Sequence, residues 1–266
     1  MKISRQFIRH SSILIFAGII LFLANAVWHP WEPRYQGKRL SAWVDDLPVI
    51  DDGWWIGQIE QEMQPTNRQA AEAIRQIGAK ALPLALSYCA AHDSSLMEKL
   101  KDWINQQKTL DFNLWSDYDY QLRGIAIFQV LGSTGKPAIP ILLQRLASKD
   151  AKTVNIATIA LFYISPESVP PLIAALTSAN DQVRSTAAMT LANFETQASA
   201  AVPDLIRCLR DKNPRVRSNA AGSLGGVGGD PNVIVPALLI CLKDEDSSTR
   251  NMAACSLESF TSSRSK

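Results

Sequence analysis

The chain has only three histidines, His10, His29 and His92, and none stands near a cysteine or serine in a nucleophile-activating arrangement. No CxxC pair occurs among its four cysteines, Cys89, Cys208, Cys241 and Cys255, and none has a histidine at metal-ligand spacing. These gaps remove catalytic triads and zinc modules from expectation. No catalytic residue, cofactor-binding residue, cofactor or metal ligand is assigned. Charge of one sign is lacking as well. Lys and Arg number 27 against 25 Asp and Glu, for a net charge of +2, which gives no electrostatic reason to expect a nucleic-acid partner. Tryptophan is missing from the second half of the chain. All seven precede residue 116: Trp28, Trp31, Trp43, Trp54, Trp55, Trp103 and Trp115.

What the second half does contain is one phrase, repeated. Val183-Arg184-Ser185-Thr186-Ala187-Ala188 returns 33 residues later as Val216-Arg217-Ser218-Asn219-Ala220-Ala221, and Arg250 opens the same frame again. A second phrase keeps step: Val169-Pro170-Pro171-Leu172, Val202-Pro203-Asp204-Leu205, Val235-Pro236-Ala237-Leu238. Self-similarity at a fixed period marks a solenoid, in which no unit buries its apolar face without a neighbour. With Ile74 as a marker, the equivalents are Leu131, Leu161, Leu191, Leu224 and Leu257, and a proline marker runs beside them at Pro83, Pro140, Pro170, Pro203 and Pro236. The prolines suit the first turn of a second helix, where a missing N–H costs nothing. Gly78 suits the end of a first helix. Cys208 and Cys241 hold one repeat position. Stacked helix axes lie about 8–10 Å apart, too far for an unstrained disulfide, so these read as small packing residues.

The N-terminus is of a different kind. Lys2, Arg5 and Arg9 precede an uncharged apolar run, and residues 11–28 form the segment expected to enter a membrane. Ala24-Asn25-Ala26 also fits a cleavage site of small residues, so a signal peptide removed near Ala26 is the alternative to a retained anchor. The expected localisation is a single-pass inner-membrane protein with its repeats extracytoplasmic. The expected divisions are 1–28 for the basic lead and membrane segment, 29–65 for a Trp-rich linker and cap, and 66–266 for the repeats. A helix is inserted near 94–107, where Leu96, Leu100, Trp103 and Ile104 share one face.

Within the linker, Ser41 is expected to cap a short helix bearing Trp43, Val44 and Leu47. The stretch from Glu32 through Pro33, Tyr35, Gly37, Lys38, Leu40 and Trp43 resembles a segment that follows the hydrophobic N-terminal helix in bacterial envelope proteins with HEAT repeats, with Val44 where leucine is usual. The repeats themselves resemble the HEAT family in its short, 30–33-residue form. The resemblance implies an all-α solenoid, a superhelix of about six helix pairs preceded by one transmembrane or signal helix. It also implies a structural ladder of Asp211 with Arg217 and Asp244 with Arg250, with the rung before Arg184 changed to Ser178.

The Gly222–Gly229 run lacks the strand and lysine of a phosphate loop and reads as a turn between helices. Carboxylate pairs Asp45-Asp46, Asp51-Asp52 and Asp117/Asp119 read as solvated acids. The first and fourth positions after each proline are expected to face the concave side, which places Gln144, Arg207 and Ile240 there. Trp54 and Trp55 are the expected exposed aromatics of the cap. Together these point to a non-enzymatic scaffold at the bacterial cell envelope whose partner is a protein or peptide. Two alternatives stand beside it. Likeness to the short HEAT repeats of bilin lyases implies an enzyme-related role on chromophores, and the tryptophans suit an aromatic, glycan-binding cap.

Overall fold

The computed structural model describes residues 31–47, 65–91, 99 and 116–262. The expected membrane segment 11–28, Trp54, Trp55 and, but for Lys99, the inserted stretch 94–107 lie outside the described residues.

A two-residue hairpin opens the described chain, with β1 (Arg34–Tyr35) antiparallel to β2 (Lys38–Arg39). Gln36 and Gly37 turn it at φ +50° and +79°, the left-handed conformation that such two-residue turns need. Helix α1 (Leu40–Asp45) follows directly. Ser41 is not its cap. The Ser41 backbone N–H donates instead to the Glu32 carboxylate, and the Leu40 N–H to the Pro33 carbonyl at 3.0 Å. An acid reaching back from outside the helix satisfies the orphan N–H groups better than a short hydroxyl placed one residue inside it. Trp43 donates from Nε1 to the Tyr35 carbonyl at 3.2 Å, and the Lys38 ammonium lies 4.2 Å from its ring centre. The Glu32-Pro33-x-Tyr35-x-Gly37-Lys38-x-Leu40-x-x-Trp43 pattern is therefore a self-fastened cap, with Leu40 and Val44 fully buried beneath it.

Helix pairs follow: α2 (Pro65–Ile77) with α3 (Leu82–Tyr88), α4 (Asp117–Leu131) with α5 (Ile139–Arg145), α6 (Ala151–Tyr163) with α7 (Val169–Ala175), α8 (Asp181–Ala192) with α9 (Val202–Cys208), and α10 (Pro214–Gly226) with α11 (Pro231–Cys241). Then α12 (Ser247–Ser262) repeats the first-helix position. Asp150, Asn180 and Asn213 cap their first helices by accepting backbone N–H bonds, and Asp246 does the same for the Thr249 N–H at 2.7 Å. Each second helix drives one leucine into the core: Leu142, Leu172, Leu205 and Leu238 are all fully buried, each contributing about 1.5–3 kcal/mol. Residues 117–145 are long and apolar enough to cross a bilayer, but half of that window is buried within the array.

Three details depart from the sequence reading. The backbone turns to positive φ at Gly78, Glu195 and Gly228, each four residues past its marker. In the second unit the turn falls at Gly132 (φ +51°), so the marker there is the fully buried Phe128 and not Leu131. Pro236 lies inside α11, because Asp230 and Pro231 start that helix early. Gly222, Gly225 and Gly226 are not in a turn but within α10. A Cβ on Gly226 would stand 3.2 Å from the Ala192 carbonyl, and one on Gly225 would stand 2.7 Å from Ser256 Oγ. Helix-interior glycine costs about 1 kcal/mol against alanine. Here it lets neighbouring first helices approach.

Candidate functional site: a groove across the first helices

That close approach joins the first helices into one layer. Between α8 and α10, Asn219 Nδ2 donates to the Ser185 carbonyl and hydroxyl at 3.0 and 2.9 Å, and Ser223 Oγ donates to the Ala188 carbonyl at 2.6 Å. Between α10 and α12, Ser256 Oγ donates to the Ala221 carbonyl at 2.8 Å. Between α6 and α8, Thr158 and Thr190 share a hydroxyl bond of 3.2 Å. Short side chains reach a neighbouring backbone only where the helices are tightly spaced. The short second helices touch one another lightly. The first helices are thus the closely joined layer, and the groove lies over them.

A groove of about 520 Å³ runs over this layer, from the loop at Ser148 and Lys149 across α6 and α8 to α10. Asn155, Gln182 and Asn219 place amides along it, Met189 stands 45% exposed at its apolar centre, and Lys149 and Arg215 bring positive charge. Among the described residues no carboxylate lines it. Gln144, Arg207 and Ile240 are exposed but do not line it; they sit on the second-helix layer. The sequence expectation named second-helix positions, and a repeat pattern shows which residues are equivalent, not which layer carries the larger groove. Arg207 borders a smaller hollow of about 280 Å³ there, where its guanidinium is held by Asp204.

The ladder lies at the loop end of the first helices and holds the groove's units in register. Arg184 donates from Nε and Nη2 to both oxygens of Asp211, at 2.7 and 2.9 Å. Arg217 makes the same fork with Asp244, at 2.9 and 2.8 Å, and also reaches Glu245 at 3.3 Å. The third nitrogen, Nη1, donates back to loop carbonyls: Ser178 for Arg184, Asp211 for Arg217, and Asp244 and Glu245 for Arg250. The rungs are therefore Arg184–Asp211 and Arg217–Asp244, running forward to the next unit. The expected six-residue links, Asp211 to Arg217 and Asp244 to Arg250, exist only through the aspartate backbone. Ser178 does not weaken its rung, since its carbonyl is what is used. The arginine forks hold both Asp211 and Asp244 below the usual carboxylate range.

The acid pairs also have structural employment. Asp45 lies 3.7 Å from Arg123 and Asp46 pairs with Lys38, while Asp119 forms a capping box with Ser116. Among the described residues no group of three His, Cys, Asp or Glu is placed to hold a metal ion. Cys208 and Cys241 are buried free thiols, raised in pKa first by burial; Cys255 is exposed.

The family model described as HEAT repeats matches residues 169–258. No curated protein matches the chain. Among solved structures, an engineered protein is 21% identical with a TM-score of 0.37, covering 84% of this chain and 96% of its own. Computationally designed armadillo repeat proteins for modular peptide recognition are 16% identical with a TM-score of 0.38, covering 83% and 99%. Likeness of that order carries neither curvature nor ligand across. The segment similar to HEAT repeats, 169–258, is the part of the chain where helix pairs and arginine rungs recur.

Proposed function

We propose that this protein is a non-enzymatic interaction scaffold of the bacterial cell envelope, gripping an extended segment of a partner protein along its first-helix groove. The observation that carries the reading is the groove's chemistry. Amides from three successive units suit a peptide backbone, Met189 suits one apolar side chain, and Lys149 with Arg215, unopposed by a lining acid among the described residues, suits an acidic one. Placement at the envelope is supported by the basic lead and uncharged apolar run of residues 1–28. The single-pass form, with the repeats extracytoplasmic, is proposed over the form cleaved near Ala26.

A photo-crosslinking amino acid placed singly at Met189, Asn155, Gln144 and Ile240 of the full chain in cells tests both parts. We expect one envelope protein to be captured from Met189 and Asn155 and not from Gln144 or Ile240, with peptides preceding Val27 retained in the mature chain. Capture from Ile240 and Gln144 without capture from Met189 would move the binding face to the second helices. A mature chain beginning near Val27 would contradict the anchor.

A further inference from the structure

A second hollow, of about 410 Å³, lies in the cap, on elements that the groove does not use. Strand β1 forms one side of it, and the last turn of α2 with the turn at Lys80 forms the other. Its apolar surface comes from Trp31, Tyr35 and Ile77, and its charge from Arg34 and Lys80, with the Gln76 amide beside them. Trp31 is 49% exposed, and Arg34, Gln76 and Lys80 are exposed as well. A pocket of this size, with a few polar groups set against an apolar wall, is of the kind that takes a small organic group.

The acids of the cap are engaged elsewhere. Glu32 accepts from the Ser41 N–H, Asp46 pairs with Lys38, and Asp45 faces Arg123. Arg34 uses one nitrogen, Nη1, on the Gly37 carbonyl at 3.3 Å. Among the described residues no carboxylate pairs with Arg34 or Lys80, and none lines the hollow. One cation is a planar fork and the other a point charge. Set together over an uncharged wall, they are matched to a phosphate.

We infer that this hollow holds the headgroup of an anionic phospholipid. The inference rests on the anchored form proposed above, and the chain supplies the reason. Only His29 and Pro30 stand between the uncharged run of residues 11–28 and Trp31. Chain length therefore keeps the wall of the hollow within about 10 Å of the end of the membrane segment. That is headgroup depth, where indole rings settle and where Lys and Arg meet lipid phosphates. Arg34 and Lys80 neutralise the phosphate, and Trp31 and Tyr35 lie against the glycerol and the first acyl carbons. A soluble phosphate would use the two cations and leave the aromatic wall idle.

The test uses the full chain, made by cell-free synthesis into vesicles of equal phosphatidylcholine and phosphatidylglycerol, with no signal peptidase present. A photo-crosslinking amino acid at Gln76 captures lipid, and mass spectrometry identifies the adducts. Phosphatidylglycerol adducts are expected to exceed phosphatidylcholine adducts about fivefold. Arg34→Gln or Lys80→Gln should each at least halve that excess. Arg68→Gln, the same charge removed about 12 Å away along α2, should leave it unchanged, as should millimolar inorganic phosphate. Protein that resists an alkaline wash yet gives equal adducts of the two lipids, or none, would overturn the headgroup site and leave the anchor standing. Protein lost in that wash would contradict both. An equal fall with Arg68→Gln would reduce the site to general surface charge, and loss of the excess in phosphate would assign the hollow to a soluble anion; either overturns the inference. Lys80 is exposed and lies outside the hairpin, so its variant does not depend on the folding of β1 and β2. Failure here leaves the groove reading untouched, since the groove lies on other helices.

Discussion

The two ends of the array are built by different means. At the N-terminal end, a hairpin and α1 are fastened by unique contacts: Glu32 on the α1 backbone, Trp43 between Tyr35 and Lys38, and Asp45 facing Arg123. At the C-terminal end every contact recurs at a fixed step: a capping Asn or Asp, a buried leucine, an arginine fork, a hydroxyl on the next helix. A cap has to close an edge once, so irregular side chains serve it. A repeat has to be extensible, so each of its interactions is made with a neighbour of the same kind.

Breaking a rung is expected to have the larger effect. The Arg217 and Asp244 side chains are 9% and 13% exposed, and removing one partner of a largely buried pair costs about 3–5 kcal/mol. Arg217→Ala should lower the unfolding free energy of the C-terminal units by about that amount in urea denaturation, with the cap unaffected. A loss under about 1 kcal/mol would mean that the fork is an ordinary surface pair.

The ends should also differ in the sign of their pH response. Asp211 and Asp244 are held below the usual carboxylate range by their arginine forks, so the stability they contribute is full above about pH 4 and is lost as pH falls below it. Asp45 is pushed up to about 6, first by burial and with Arg123 opposing. Its contribution is fully present below about pH 4 and is lost as pH rises through about 6. Moving from pH 7 to pH 5 should therefore tighten the cap while leaving the ladder intact. Asp45→Asn should remove that response, a change of about 0–1 kcal/mol for a partly exposed carboxyl. Thermal melts of both proteins at pH 5 and 7 check it, and an equal pH response in the variant would contradict it.

Much of the C-terminal half was legible because periodic sequence is periodic structure: the helix pairs, and the prolines at the start of most second helices, follow from the two markers in register. The direction of the rungs was not legible. In a 33-residue period, an arginine six residues after one aspartate lies 27 residues before the next, and only the fold decides which carboxylate it meets. The close joining of the first helices was hidden for a related reason. Ser185, Asn219, Ser223 and Gly226 are individually unremarked polar or small residues, and their meaning lies in the helix spacing they permit. Small residues at the first-helix positions 185, 188, 221 and 222 were the available signal. In the cap, Glu32 stands nine residues before the N–H it satisfies, beyond the reach of any local capping rule.

Hydrogen exchange of the full chain, followed by mass spectrometry, tests most directly the claim that the two ends are joined differently. The amides of α8, α10 and α12 should exchange as one cooperative block with the highest protection, and those of residues 31–47 should open separately at lower free energy. Arg217→Ala should then lower protection throughout the block and leave 31–47 unchanged. One common opening free energy across both ends, moved as a whole by Arg217→Ala, would contradict the account.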